Sequence, residues 1–199
     1  MGATAALAVS PGPDNIYVLM QSIANGKKFG LATVAGLISG CLVHTTLLAF
    51  GVSALIKAND KIFFIIKLFG ALYLCYLAYQ VFLADAMVRL GTVSVPSKTI
   101  PQLFRQGFVM NVLNPKVTIF FLAFFPGFLF SETLSTVMQF YVLGLLFMLV
   151  SAIIFSIIAI LSGLISARMN NNIGMGIFLK WLQIVVFVGI AIYLLLSDK

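Results

Sequence analysis

The sequence predicts an all-α integral membrane protein with six transmembrane helices, arranged as two inverted three-helix repeats. Three observations predict it. Charged residues make up 9% of the 199 residues and the apolar set 62%, against about 25% charged in an average soluble domain. With 12 basic and 5 acidic side chains and a mean hydropathy of +1.14, most of the chain has lipid as its solvent. Long charge-free runs recur, and roughly 20 residues are enough to cross a hydrocarbon core as a helix. These runs are too long, and too free of period-2 alternation, for barrel strands. Finally, a polar connector divides them three and three, and an odd number of spans per half forces the halves into opposite orientations.

The first segment, about 3–25, is a proline-broken span holding Pro11, Pro13 and Asp14. The second, 29–56, has no Asp, Glu, Lys or Arg, and the third, 68–84, is entered through Lys67. The connector, 85–106, carries Asp85, Arg89, Pro96, Lys98, Pro101 and Arg105. Beyond it, 107–130 is interrupted only by Lys116, 133–167 is charge-free, and 181–197 is entered through Lys180. The expected organisation is one membrane domain over 1–199: repeat 1 about 1–84, the connecting loop about 85–106, and repeat 2 about 107–199.

The halves correspond in three ways. Each opens with a proline-bearing turn, Ser10-Pro11-Gly12-Pro13-Asp14-Asn15 in one and Leu113-Asn114-Pro115-Lys116 in the other. Each has a middle span with small residues at every fourth position, Ala32, Gly36 and Gly40 against Ala159, Gly163 and Ala167. That spacing lets helix backbones approach in lipid, so tight packing is the expected role. Each half ends in a span entered through an isolated lysine, and Lys67 and Lys180 are expected to be snorkelling anchors, with lining of the pathway as the alternative.

The net charge of +7 comes from basic residues scattered singly between apolar runs, so no nucleic-acid partner is expected. The loops after spans one, three and five carry Lys27, Lys28, Arg89, Lys98, Arg105 and Arg168, which makes them the cytoplasmic set. Six complete spans then put both termini outside, whereas a re-entrant first segment moves the N-terminus to the other side. No basic n-region precedes the first apolar stretch, so it is expected to stay in the mature protein. A phosphate-binding G-x-x-x-x-G-K-[ST] loop is absent from the sequence, which argues against primary pumping by this chain. No catalytic residue, metal or cofactor is expected.

The proline motifs are the most informative features. A proline at the first helical position, preceded by Gly or Asn, starts a helix. Inside apolar sequence such a start exposes N–H groups, which is tolerated only against protein or a wet cavity, and it attracts anions. One motif alone reads as a kink or an interfacial helix start; two in matching places of two halves favour a binding site. Asp14 is the sole acid in the first 59 residues; an acid at bilayer depth costs about 3 kcal/mol and is a functional candidate, with an interfacial helix cap as the alternative. Lys116 sits where its helix dipole disfavours a cation, so it pairs with Asp14 or a substrate carboxylate, or snorkels. His44, the only histidine, follows Cys41 by one turn. A metal site needs three or four ligands, so a hydrogen-bonded neutral histidine is expected, with a protonatable relay as the second reading.

The stretches "SPGPDN", "GLATVAGLISGCLVHTTLLAFG" and "LFRQGFVMNVLNPKVTIFFLAFFPGF", with the third span "IKLFGALYLCYLAYQVF", resemble the LysE/RhtB-type amino-acid exporters over nearly the whole chain. The resemblance implies secondary-active, proton-driven efflux of amino acids or close derivatives across the bacterial inner membrane. Carried over, the family's Pro-Gly-Pro-Asp is Pro11 to Asp14 and its Asn-Pro-Lys is Asn114 to Lys116, giving candidate substrate and proton-coupling residues Pro11, Gly12, Pro13, Asp14, Asn15, His44, Asn114, Pro115 and Lys116. The partners implied are an amino-acid-like small molecule, protons, the lipid bilayer and, as for many small bundles, a second copy in a homodimer. Two departures stand out. The apolar stretch before the first motif is shorter than the family's, so the first span is expected to be truncated or to start upstream. The family's Pro-Gln-Phe after the fourth span is Pro126-Gly127-Phe128 here. Readings from other classes are a membrane thiol–disulfide carrier using Cys41 and Cys75, and a heavy-metal exporter. The first is weakened because both cysteines lie in one half, the second by the poor supply of soft ligands.

Overall fold

A computed structural model of the chain describes residues 2–9, 12–52, 60–84, 98–171 and 173–196. Among these residues there are nine α-helices and no strand. They are α1 (Gly2–Val9), α2 (Pro13–Asn25), α3 (Lys27–Leu47), α4 (Asp60–Leu83), α5 (Ile100–Val112), α6 (Pro115–Phe124), α7 (Thr136–Ile160), α8 (Ser162–Asn171) and α9 (Ile173–Leu196). A π turn, Leu48–Val52, extends α3, and a 3₁₀ turn, Phe125–Phe128, extends α6. Among the described residues, four segments are long and apolar enough to cross a membrane: Lys27–Gly51, Phe64–Leu83, Thr136–Ile160 and Gly176–Leu196. The protein is a multi-pass membrane protein, and its exposed apolar side chains, such as Phe69, Leu145 and Val185, form the surface that lipid requires.

Of the other five helices, α8 follows α7 as a short segment, and the remaining four come as two broken pairs, each interrupted by proline. Pro13 opens α2 after an extended Gly12, and Pro115 opens α6 after Asn114. Proline has no N–H to lose at the first helical turn, and its ring disfavours helical geometry in the residue before it. The members of each pair, 8 and 13 residues and 13 and 10 residues long, are each shorter than a hydrocarbon core at about 1.5 Å per residue.

The bundle is held by α3, which packs on α2, α5, α6 and α7, while α4 packs on α9. A side chain on Gly36 would collide with the Phe104 carbonyl, and one on Gly107 with the Thr33 carbonyl. The α3 and α5 backbones therefore touch, the close approach that small residues permit. Gly26, at φ +97°, turns α2 into α3 in a left-handed conformation that favours glycine. The larger core is aromatic, with Phe120, Phe121, Phe140 and Phe187 almost wholly buried. A smaller one joins Val18, Val34, Leu37, Phe155 and Ala159.

Three sequence expectations are revised. Helix α5 begins at Ile100, inside the connector set at 85–106, because Thr99 and Gln102 form a reciprocal capping box there; residues 85–97 of that connector lie outside the described residues. The small-residue row of the second half does not continue as packing. Ala159 is buried, but α7 ends at Ile160, Leu161 leaves helical geometry, and Gly163 faces open space. Lys67 is 7% exposed on α4, so it is a buried residue rather than a snorkelling anchor. Lys180 keeps an end-of-span role, donating to the Ala84 carbonyl at 2.7 Å over the Phe82 ring.

Candidate functional site

The two helix breaks meet. The Asn114 amide Nδ2 donates to Asp14 Oδ2 at 2.8 Å, across 100 positions of sequence, with both residues buried. Asn114 also caps its own helix, its Oδ1 accepting from the Lys116 N–H at 3.0 Å. The next two N–H groups, of Val117 and Thr118, bond to the Asn114 carbonyl at 3.1 Å. The start of α6 is thus internally satisfied, and the N–H groups that the proline motif makes attractive to anions are occupied there.

The first break is organised differently. Gly12 offers α2 no side-chain cap, and Asp14 stands in the first turn, where the positive end of the helix dipole favours a carboxylate. The carbonyls at the end of α1 are met by side chains. Asn15 Nδ2 donates to the Ala8 carbonyl at 2.7 Å and Lys116 Nζ to the Leu7 carbonyl at 3.3 Å. Lys116 therefore turns away from the positive start of its own helix and toward the negative end of α1, which favours a cation. The Phe187 ring lies 5.3 Å from its ammonium, within cation–π range.

His44 serves the second break from outside. Its Nε2 lies 3.0 Å from the Asn111 carbonyl, which can only accept, so the proton sits on Nε2. The same carbonyl accepts from the Asn114 N–H at 3.0 Å, so His44 is its second donor at the end of α5. Asp14, Lys116, Asn111, Cys41 and Ser151 line a cavity of about 20 Å³, little more than one water requires. Two oxygens of that set, Asp14 Oδ1 and Asn111 Oδ1, are buried with no hydrogen-bond partner. Phe147 and Phe155 wall the cavity on the apolar side.

Of the sequence candidates, Gly12, Pro13, Asp14, Asn15, Asn114, Pro115 and Lys116 gather at the two breaks, and His44 reaches the second through Asn111. Pro11 lies outside the described residues. Asn111 and Gln21, buried polar residues of α5 and α2, were not among the candidates; the signal was an amide side chain inside a largely apolar helix. Cys41 is buried and Cys75 exposed, and both are free thiols. Among the described residues no group of three or more His, Cys, Asp or Glu could hold a metal ion.

The family model described as LysE type translocator matches residues 5–198. The chain belongs to the LysE family. This family comprises transporters rather than enzymes. The homoserine/homoserine lactone efflux protein of Salmonella typhimurium is 30% identical over 161 residues, covering 81% of this chain and 77% of that protein. The leucine efflux protein of Klebsiella pneumoniae subsp. pneumoniae is 29% identical over 153 residues, covering 77% and 72% respectively. No solved structure matches this LysE-family chain.

Proposed function

We propose that the protein is a secondary-active, proton-coupled exporter of amino acids or close derivatives in the bacterial inner membrane. Its site lies between the two helix breaks. The observation that carries this reading is the hydrogen bond from Asn114 to Asp14, which joins the two motifs beside a small polar cavity. Relatives named for homoserine and leucine efflux support the substrate class. The packing supports six spans in two inverted repeats, with α1–α2 and α5–α6 each counted as one broken span. Exchanging the halves span for span maps the packing of the first broken span on α7 onto that of the second on α3, and its packing on α9 onto that of the second on α4, while α3–α7 and α4–α9 map onto themselves.

On this reading the Asp14 carboxylate holds either a proton or the substrate ammonium, never both. The substrate carboxylate goes to Lys116, because the N–H groups at the start of α6 are already bonded. A cavity of about 20 Å³ holds a water and not an amino acid, so loading separates the breaks. One proton moving inward through about 150 mV releases roughly 3.5 kcal/mol, enough for a gradient of a few hundredfold at about 1.4 kcal/mol per decade.

Asp14→Asn tests the coupling. Asparagine keeps the shape, the helix start and an acceptor for Asn114, so the protein should insert and remain folded. Efflux from preloaded vesicles should lose its response to a pH gradient. A wild-type, gradient-driven rate would remove Asp14 from the mechanism and leave it as a helix-start residue.

A further inference from the structure

We infer that Tyr17, Gln21 and Asn25 line the route by which water and substrate reach Asp14 from the lysine-bearing, cytoplasmic end of α2. The inference rests on the reading of Asp14 as the coupling carboxylate, and its own basis is the distribution of unsatisfied polar atoms.

Among the described residues, four buried side-chain atoms have no hydrogen-bond partner: Asp14 Oδ1, Tyr17 OH, Gln21 Nε2 and Asn111 Oδ1. Three belong to α2, and the fourth lines the cavity with Asp14. At about 100° per residue, Asp14, Gln21 and Asn25 fall within about 40° of one another, with Tyr17 about 60° to one side. Gln21 is wholly buried, and its Oε1 accepts from Asn25 Nδ2 at 2.9 Å, which leaves the Nε2 protons unused. Another buried glutamine, Gln139, bonds Phe130 N, Ser131 N, Ser131 O and Leu134 O. At Gln139 the fold satisfies a buried amide fully, and at Gln21 it does not. Unpaired polar atoms in a native interior mark places where water completes the bonding.

The stripe also has the right length and direction. From Asp14 to Asn25 the helix rises about 16 Å at 1.5 Å per residue, about half of a hydrocarbon core of about 30 Å. It ends beside exposed Lys27 and Lys28, on the side that basic loops assign to the cytoplasm. The opposite face of α2 is apolar, with Ile23 43% exposed to lipid. An exporter needs such a path to load a zwitterion and to release the proton inward.

The test uses single cysteines at Tyr17, Gln21 and Ile23 in a Cys41→Ser, Cys75→Ser background. They are labelled with a charged, membrane-impermeant methanethiosulfonate in inverted vesicles and in intact cells. In inverted vesicles, Tyr17→Cys and Gln21→Cys should react at least about tenfold faster than Ile23→Cys, since only a hydrated thiol ionises to the reactive thiolate. They should resist the reagent applied from outside. Equal rates at all three positions, or labelling from outside alone, would overturn the route. Tyr17→Cys carries the test should Gln21→Cys fail to insert, and labelling after denaturation counts the inserted protein. The readout needs no transport, so failed proton coupling in Asp14→Asn with intact labelling distinguishes the two readings.

Discussion

At the second helix break the chain largely satisfies itself. Asn114 caps α6 with its own side chain, and the Asn111 carbonyl at the end of α5 is met by the neighbouring His44. At the first break α2 has no side-chain cap, and the last carbonyls of α1 depend on Asn15 and on Lys116 from the other half of the chain. Asp14 likewise takes its partner from the second break. One break is thus capped by its own residues, and the other is held in place by groups that the proposed substrate would engage. On the proposed reading, a zwitterion that drew Lys116 from the Leu7 carbonyl or Asn114 from Asp14 would loosen α1 and α2 while α6 kept its cap. On that reading the two similar motifs would act as an asymmetric hinge.

Lys116 is where this comparison breaks most visibly. Lys116→Met leaves the Leu7 carbonyl unpaired at a cost of about 1–3 kcal/mol. It also removes the proposed seat of the substrate carboxylate. Efflux should be abolished and the melting temperature in detergent lowered by several degrees, with Lys116→Arg retaining part of both. Undiminished efflux by the methionine variant would show that the first break does not depend on this cation.

Asn114 sharpens the comparison because it serves both breaks. Serine retains helix-capping ability but is too short to reach Asp14, whereas alanine loses both contacts. Asn114→Ala should therefore be less stable than Asn114→Ser by about 1 kcal/mol, the worth of a cap, and both should export slowly. Denaturant or thermal unfolding checks the first statement and vesicle efflux the second. Equal stability of the two variants would mean that the second break does not rely on its cap.

The breaks themselves were legible because their signals are local: Gly before Pro13, Asn before Pro115, each inside apolar sequence. The four long spans were legible for the same reason, being runs of composition. What joins the breaks was not. The Asp14–Asn114 bond links positions 100 apart and the His44–Asn111 bond positions 67 apart, and both depend on how helices pack. The opening of α6 looked like an anion site because its sequence exposes N–H groups, but Asn114 folds back to cap it. Gly36 and Gly163 shared one pattern, yet only Gly36 meets a backbone, since the helix carrying the other is interrupted at Leu161. Lys67 looked like an interface lysine from its place near a span end, and packing of α4 on α9 and α6 buries it.

The smallest expected effect is that of Asn15. Its amide bridges the first break from within, donating to the Ala8 carbonyl at 2.7 Å in a partly buried setting. Such a neutral bond contributes about 0.5–1.5 kcal/mol, and α1 still has Lys116 on its adjacent carbonyl after Asn15→Ala. Stability should fall by about that amount, with gradient-driven efflux retained at a reduced rate. Both side chains act on the same end of α1, so their effects should not add. The double variant with Lys116→Met should differ from the sum of the singles by more than the roughly 0.3–0.5 kcal/mol seen for independent sites. Thermal unfolding of the four proteins measures that coupling. Strict additivity would separate the two contacts and leave α1 anchored by something other than the polar groups at the break.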